Sequence, residues 1–427
     1  MIGASRLSKG GLRTGAGPRV AYMATFPPTE CGIATFTEDL TRAVNRQHAL
    51  PHSVVIAVSP DESAPSYPSH VKLAISRDNA ADYLRAAEYV NRSAVDLVCI
   101  QHEFGIFGGA WGYHVIPFLE ALHKPAVATL HTVLRRPAPE PKEITQELCR
   151  LCHSVVVMNS IAAHVLQETY GVPANKIRHI HHGAPKFSPH LARRKKARLK
   201  LIGRKVISTF GLISPGKGIE YVIQAMPAVV ERHPDALYLI LGETHPGVRR
   251  HSGESYREML ERTSAELGMQ GHILFDNRYL TKPQLISYLE ATDIYVTPYL
   301  NPEQMVSGAL CYAVAAGLPI ISTPYLYAFE TLGNGRGMIV DFRDPTGIAE
   351  CINLLLESPT LRALMTARTL DFGRRLLWDH VGAEHVAYFR EMVAAPAVRG
   401  AGRAPATYGA AQTSPASVLP LAADGRK

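Results

Sequence analysis

No apolar run in the chain approaches the roughly 20 residues that a membrane-spanning helix needs, so no bilayer-crossing segment is expected. The opening stretch, Met1 to Pro18, is rich in Gly, Ser, Arg and Lys and has no apolar centre. That composition predicts an unstructured start rather than a secretory signal. Cysteine is scarce: six residues (Cys31, Cys99, Cys149, Cys152, Cys311 and Cys351) lie scattered in apolar surroundings. A disulfide framework is thereby excluded, and free thiols in a reducing cytoplasm are expected. Cys149 and Cys152 have the spacing of half a zinc site, but no second pair completes it, so no metal is expected. The G-x-G-x-x-G fingerprint is also missing. The first expected strand, Arg19 to Phe26, runs instead into Pro27-Pro-Thr-Glu-Cys-Gly-Ile-Ala-Thr, which argues against a dinucleotide-dependent oxidoreductase.

What is present is enough apolar material, 46% of 427 residues, for two full cores. The formal charge is +8. Much of the excess sits in the run 193–200, Arg-Arg-Lys-Lys-Ala-Arg-Leu-Lys, and in the two tails, without interleaved aromatics, so no nucleic-acid partner is expected. The run is either a solvated linker face or a contact with an anionic membrane surface or lipid-linked acceptor, which would place a cytoplasmic protein peripherally at the inner face of the membrane.

Buried, β-branched runs recur at α/β spacing: 53–58, 71–75, 96–101, 126–130 and 154–158, with helical patterns between most of them, for example 80–91 and 113–122. After Arg19–Phe26 a helix is expected over 35–46, with Thr35 or Thr37 as its cap. Strands alternating with helices predict a doubly wound parallel sheet, whose functional side chains lie just past the strand ends. His102-Glu103, His131-Thr132 and Asn159-Ser160 fall there. His179, His181 and His182 alternate along a strand and cannot share one face, which argues against a metal cluster.

A second set of strands follows at 205–211, 236–242, 271–275, 294–297 and 319–323. Gly211 ends the first of these, and Ser214-Pro-Gly-Lys217-Gly218 leads into a helix. A lysine at such a helix start suits an anionic diphosphate. Later, Asn301-Pro-Glu303-Gln304-Met-Val-Ser307-Gly308 joins a buried strand to a short helix closed by Gly317. The free amides of that first helical turn point into the crevice at the sheet's carboxyl edge. Glu303 and Gln304 lie where they can accept hydrogen bonds from sugar hydroxyls. Arg278, in Phe-Asp-Asn-Arg-Tyr-Leu, is a candidate second cation.

The stretch 301–330 resembles the retaining, nucleotide-sugar-dependent glycosyltransferases of the group 1 (GT4-like) family. So do His-Gly-x-Pro at 182–185, Gly-Glu-Thr-His-Pro at 242–246 and the series through 280. The resemblance spans nearly all of 19–392. It departs from the family pattern at Gln304 and Tyr312, which stand where the two glutamates usually are, and at Leu212, where an arginine usually is.

The resemblance implies the GT-B fold, two Rossmann-like domains facing a cleft. Its boundaries are a disordered 1–18, an N-terminal domain 19–190, a basic linker 191–204, a nucleotide-sugar domain 205–375, a helix 376–393 crossing back to the first domain, and a disordered tail 394–427. It further implies His131 and Glu303 as catalytic residues. Gly211, Ser214, Lys217, Arg278, Gln304, Ser307 and Gly308 then bind a nucleotide-diphosphate sugar. Glu30, Gly32, His102 and Glu103 line the phosphate or acceptor side. No D-x-D triplet occurs, so no cofactor or metal is expected. A hexose would pass to a glycan or lipid-linked acceptor, as in polysaccharide biosynthesis. The alternatives are a sugar-nucleotide epimerase or phosphorylase of the same fold, or a catalytically degenerate scaffold.

Overall fold

The computed structural model describes residues 17–48, 53–60 and 66–395, which fall in one compact unit. Apart from Gly17, Pro18, Ala394 and Ala395, the two expected unstructured ends lie outside the described residues. The first sheet comprises β1 (Val20–Ala24), β2 (Val54–Ser59), β3 (Val71–Ser76), β4 (Leu97–His102), β5 (Ala126–Leu130), β6 (Ser154–Val157) and β7 (Ile177–His179). The second comprises β8 (Lys205–Phe210), β9 (Ala236–Leu241), β10 (Ile273–Asp276), β11 (Ile294–Thr297), β12 (Ile320–Ser322) and β13 (Met338–Ile339). Every pairing is parallel.

The strand orders are 3-2-1-4-5-6-7 and 10-9-8-11-12-13, so each sheet reverses direction once, between β1 and β4 and between β8 and β11. Loops leaving the carboxyl ends of strands on either side of such a reversal diverge and open a crevice. The loops after β8 and β11 contain Lys217 and Ser307 respectively.

Helices on both faces explain why the strands read as continuous apolar runs. Along β1, Ala21 and Met23 pack with Tyr83 and Phe118 on one side. Val20 and Tyr22 pack with Phe36, Leu40 and Phe389 on the other. Phe389 comes from the last described helix, Trp378–Ala394, which lies on the helix Gly32–Arg46 of the first lobe. The approach is close: a β-carbon at Gly382 would fall 2.9 Å from Ala43. The return is stitched by Ala184 N to Leu376 O (2.6 Å) and Trp378 N to Ala184 O (2.9 Å).

Three local features differ from expectation. The first helix begins at Gly32 rather than 35, because the Cys31 thiol accepts from Ala34 N at 3.2 Å and caps it. Cysteine is not a usual capping residue, and the Thr37 hydroxyl is spent on Ile33 O. The basic run holds a helix, Ala192–Arg198, docked on the second lobe. There Lys195 pairs with the buried Glu290 (3.0 Å) and Lys196 with Asp293 (2.5 Å), while Arg193, Arg194, Arg198 and Lys200 stay exposed. The edge strand β13 has two residues, too few to show a periodicity.

Candidate active site

At the crevice of the second sheet, Gly218 has φ 64°, and a β-carbon there would meet Pro298 O at 2.1 Å. Glycine is therefore required where the loop after β8 crosses the loop after β11. Leu300 N donates to Gly216 O at 3.0 Å and closes the crossing. This presses Lys217 onto Tyr299, with the ammonium 3.8 Å from the ring centroid, a cation–π contact. Tyr299 stacks on Tyr325 at 5.3 Å, and the Tyr325 phenol reaches Thr297 Oγ1 (3.1 Å) and Ser307. Lys217 and the Ser307 turn thus flank one aromatic pair.

Ser307 caps the helix Gly308–Ala315, its hydroxyl accepting from Leu310 N at 3.2 Å. Among the described residues the amides of Gly308 and Ala309 have no partner, as expected for a first helical turn. Gln304 turns inward, its amide donating to Val306 O at 2.8 Å. Glu303 turns outward to the first lobe, where Oε1 lies 3.4 Å from Arg136 and 3.9 Å from Arg135. Gly211, at φ 137°, and Leu212 and Ile213 bound a space of about 10 Å³ beside Lys217. Ser214 opens the short turn Pro215–Lys217.

Arg278 stands apart from this group. Its guanidinium is taken bidentately by Asp276 at 2.7 and 2.6 Å, and Tyr288 bonds the same carboxylate. It sits past β10, on the sheet edge two strands from β8.

In the first lobe, His131 follows β5. Its Nε2 lies 3.0 Å from Gln101 Oε1, an atom that only accepts, so Nε2 carries the proton and Nδ1 keeps a lone pair. Burial, with His182 and His102 nearby, pushes its pKa down to about 3, so the ring is neutral at ordinary pH. Phe36 touches His131, His182 and Trp378 edge-on at 4.9, 4.9 and 5.2 Å. His182 donates from Nδ1 to Gly183 O at 2.7 Å, and burial holds its pKa near 4. Its Nε2 lies 3.0 Å from where a Gly308 β-carbon would be, so this neutral ring abuts the helix start of the other lobe.

His102 ends β4 inside the core, stacked on Phe107, with neither nitrogen hydrogen-bonded and its pKa lowered to about 4 by burial. It is an apolar-packed ring rather than an exposed one. The neighbouring Glu103 accepts from Thr132 Oγ1 at 2.6 Å, and burial raises its pKa. Glu30 is largely exposed; its partial burial and then the neighbouring Glu243 carboxylate of the second lobe raise its pKa. A β-carbon at Gly32 would meet open space.

Several groups that join the lobes carry no signal in the sequence. Glu330 receives Ser160 N (2.9 Å), Ser160 Oγ (2.8 Å) and Ile161 N (3.2 Å), covering the start of the helix Ser160–Tyr170. Asp39 pairs with Lys282 and accepts from Tyr312 OH at 3.3 Å. Asn159 donates to Met305 O. Tyr312 therefore spends its hydroxyl on the first lobe.

Two parallel sheets of this order, meeting over crevice loops, define the GT-B class of fold. HepE from Anabaena, solved with UDP and glucose, superposes with a TM-score of 0.70 over 88% of this chain and 100% of that one, at 14% identity. The chain belongs to the group 1 glycosyltransferases of family 4: the pattern described as "Glycosyl transferases group 1" matches residues 193–370, and "Glycosyltransferase Family 4" matches 31–185. A D-inositol 3-phosphate glycosyltransferase from Corynebacterium urealyticum is 26% identical over 63% of this chain and 64% of its own length. A GDP-mannose-dependent phosphatidylinositol monomannoside mannosyltransferase from Mycolicibacterium smegmatis is 27% identical over 42% and 45%. The chain thus matches less than two thirds of the length of these curated relatives. Among the described residues no helix is long and apolar enough to cross a membrane.

Proposed function

We propose that this protein transfers a hexose from a nucleotide-diphosphate sugar to a hydroxyl of a glycan or lipid-linked acceptor, with retention of configuration. The observation that carries this reading is that Lys217 lies on Tyr299, which stacks on Tyr325 beside the Ser307 turn and its unpartnered Gly308 and Ala309 amides. One cation and a helix N-terminus neutralise a leaving diphosphate without a metal. HepE, whose crystals hold UDP and glucose, has the same fold, which supports a nucleotide-sugar donor.

Glu303 and Gln304 would accept hydrogen bonds from the sugar, and the Nδ1 lone pair of neutral His131 would accept one near the reacting carbon. The bond from the anomeric carbon to the phosphate oxygen breaks as the acceptor oxygen attacks from the same face. The acceptor proton passes to the departing phosphate oxygen, so no separate base is required. Closure of the two lobes over the bound donor would exclude water from the reacting centre. The exposed Arg193, Arg194, Arg198 and Lys200 suit a peripheral contact with an anionic membrane.

A screen of nucleotide sugars against candidate acceptors, read by product mass, tests the reading; absence of any transfer product would overturn it. A scaffold without turnover is the second reading. Two observations favour it: Gln304 and Arg278 are engaged within their own lobe. Absence of binding to every nucleoside diphosphate would select it.

A further inference from the structure

Beside the candidate site, the first lobe carries a cavity of about 400 Å³ lined by Arg135, Arg136, His164, Val165, Glu168 and Thr169. That volume falls within the range of small-molecule sites. Its floor is fixed. Val133 is buried, and Leu134 O accepts from Tyr170 OH at 2.9 Å, so the loop after β5 is tied to the helix Ser160–Tyr170. The four helical residues fall at i, i+1, i+4 and i+5 along one side of that helix.

Arg135 and Arg136 are 50% and 89% exposed, and among the described residues Glu303 is the carboxylate they share. Both reach the same oxygen, at 3.9 and 3.4 Å, well beyond the roughly 2.7–2.9 Å of a charge-assisted bond. Two positive charges therefore meet one negative charge at poor distance. A ligand with three oxygens and up to two charges satisfies such a pair better than a carboxylate does.

We propose that this cavity binds a phosphate monoester carried by the acceptor. The two arginines hold the phosphate, while Glu168, His164 and Thr169 bond the neutral part of the ligand. The inference deepens the transferase reading and rests on it for the word acceptor. It adds a coupling: the phosphate displaces Glu303 from the arginines, and Glu303 is released toward the donor sugar in the same loop as Ser307.

The test is calorimetry on the full chain with glucose 6-phosphate and glucose as matched probes, alongside sedimentation with phosphatidylcholine vesicles with and without phosphatidic acid. The wild type, the double variant R135A/R136A and E303Q are compared. The expected result is binding of glucose 6-phosphate at least about tenfold tighter than glucose, lost in R135A/R136A and strengthened about threefold or more in E303Q, where the competing charge is gone. If the phosphate belongs to a lipid headgroup, phosphatidic acid vesicles show the same pattern in place of the soluble ester.

Equal binding of both sugars together with no arginine-dependent vesicle binding overturns the proposal. So does phosphate binding that survives R135A/R136A, or weaker binding in E303Q, which would mark the contact as a structural clasp. Binding of uridine diphosphate, measured on the same samples, separates this failure from failure of the transferase reading. Both arginines are solvent-facing, and melting curves confirm folding.

Discussion

Removing the Glu330 carboxylate should loosen the lobes at one identifiable point. Glu330 accepts from three donors at the start of the helix Ser160–Tyr170, at 2.8 to 3.2 Å. Each is a charge-assisted bond, and the helix N-terminus adds a favourable dipole. The Ser160 contacts are exposed, so each donor is discounted to about 0.5–1 kcal/mol, giving about 2 kcal/mol for E330A. That corresponds to roughly a thirtyfold shift of the local opening equilibrium. The helix itself should survive, because Asn159 Oδ1 still caps Ala162 N at 2.7 Å. Amide exchange at Ser160 and Ile161 reads the opening directly, since both amides are bonded to Glu330. The expected outcome is about thirtyfold faster exchange at these two positions, with Tyr22 and Met23 in β1 unchanged. Exchange within about threefold of wild type would refute the claim that this carboxylate holds the lobes together.

Acid should destabilise the protein steeply. His102, His182 and His385 are buried with pKa values lowered to about 4 by burial, against an ordinary 6.5. The folded state binds fewer protons than the unfolded one, so this contribution is complete above pH 6.5 and is lost as pH falls toward 4. Each histidine contributes about 1.4 kcal/mol per pH unit near pH 5, roughly 4 for the three, and urea midpoints at pH 7 and pH 5 should differ accordingly. Gly382→Ala drives a methyl group to 2.9 Å from Ala43 and should cost about 1–3 kcal/mol, read as a lowered melting temperature. An unchanged melting temperature would show that the two helices can separate freely. Transfer should persist in EDTA, because the proposed leaving-group stabilisation comes from Lys217 and backbone amides; complete, metal-restorable loss would contradict it.

The two sheets were legible because parallel strands covered on both faces must be apolar throughout, as β1 and β9 are. The crevice loops followed, since a chain alternating strand and helix places Lys217 and Ser307 at carboxyl ends. What was not legible is pairing across the lobes. Glu303 meets Arg136 across 167 positions, Glu330 meets Ser160 across 170, and Asp39 meets Lys282 across 243. No local periodicity encodes such partners. His182 illustrates the same limit: in the sequence it is one of three histidines between 179 and 182, and only the folded chain places it beyond β7 and against Gly308. Arg278 read as a free cation because Asp276, two residues earlier, reads equally well as a strand end.

The claim on which the account turns is that Lys217 and the start of the helix Gly308–Ala315 together hold a diphosphate. Calorimetric titration of wild type and K217A with uridine, guanosine and adenosine diphosphates measures it most directly. The account predicts that at least one of them binds the wild type and binds K217A about tenfold or more weakly, with the melting temperature of the free protein unchanged. Equal affinity in the two proteins, or no binding of any diphosphate to the wild type, would contradict it.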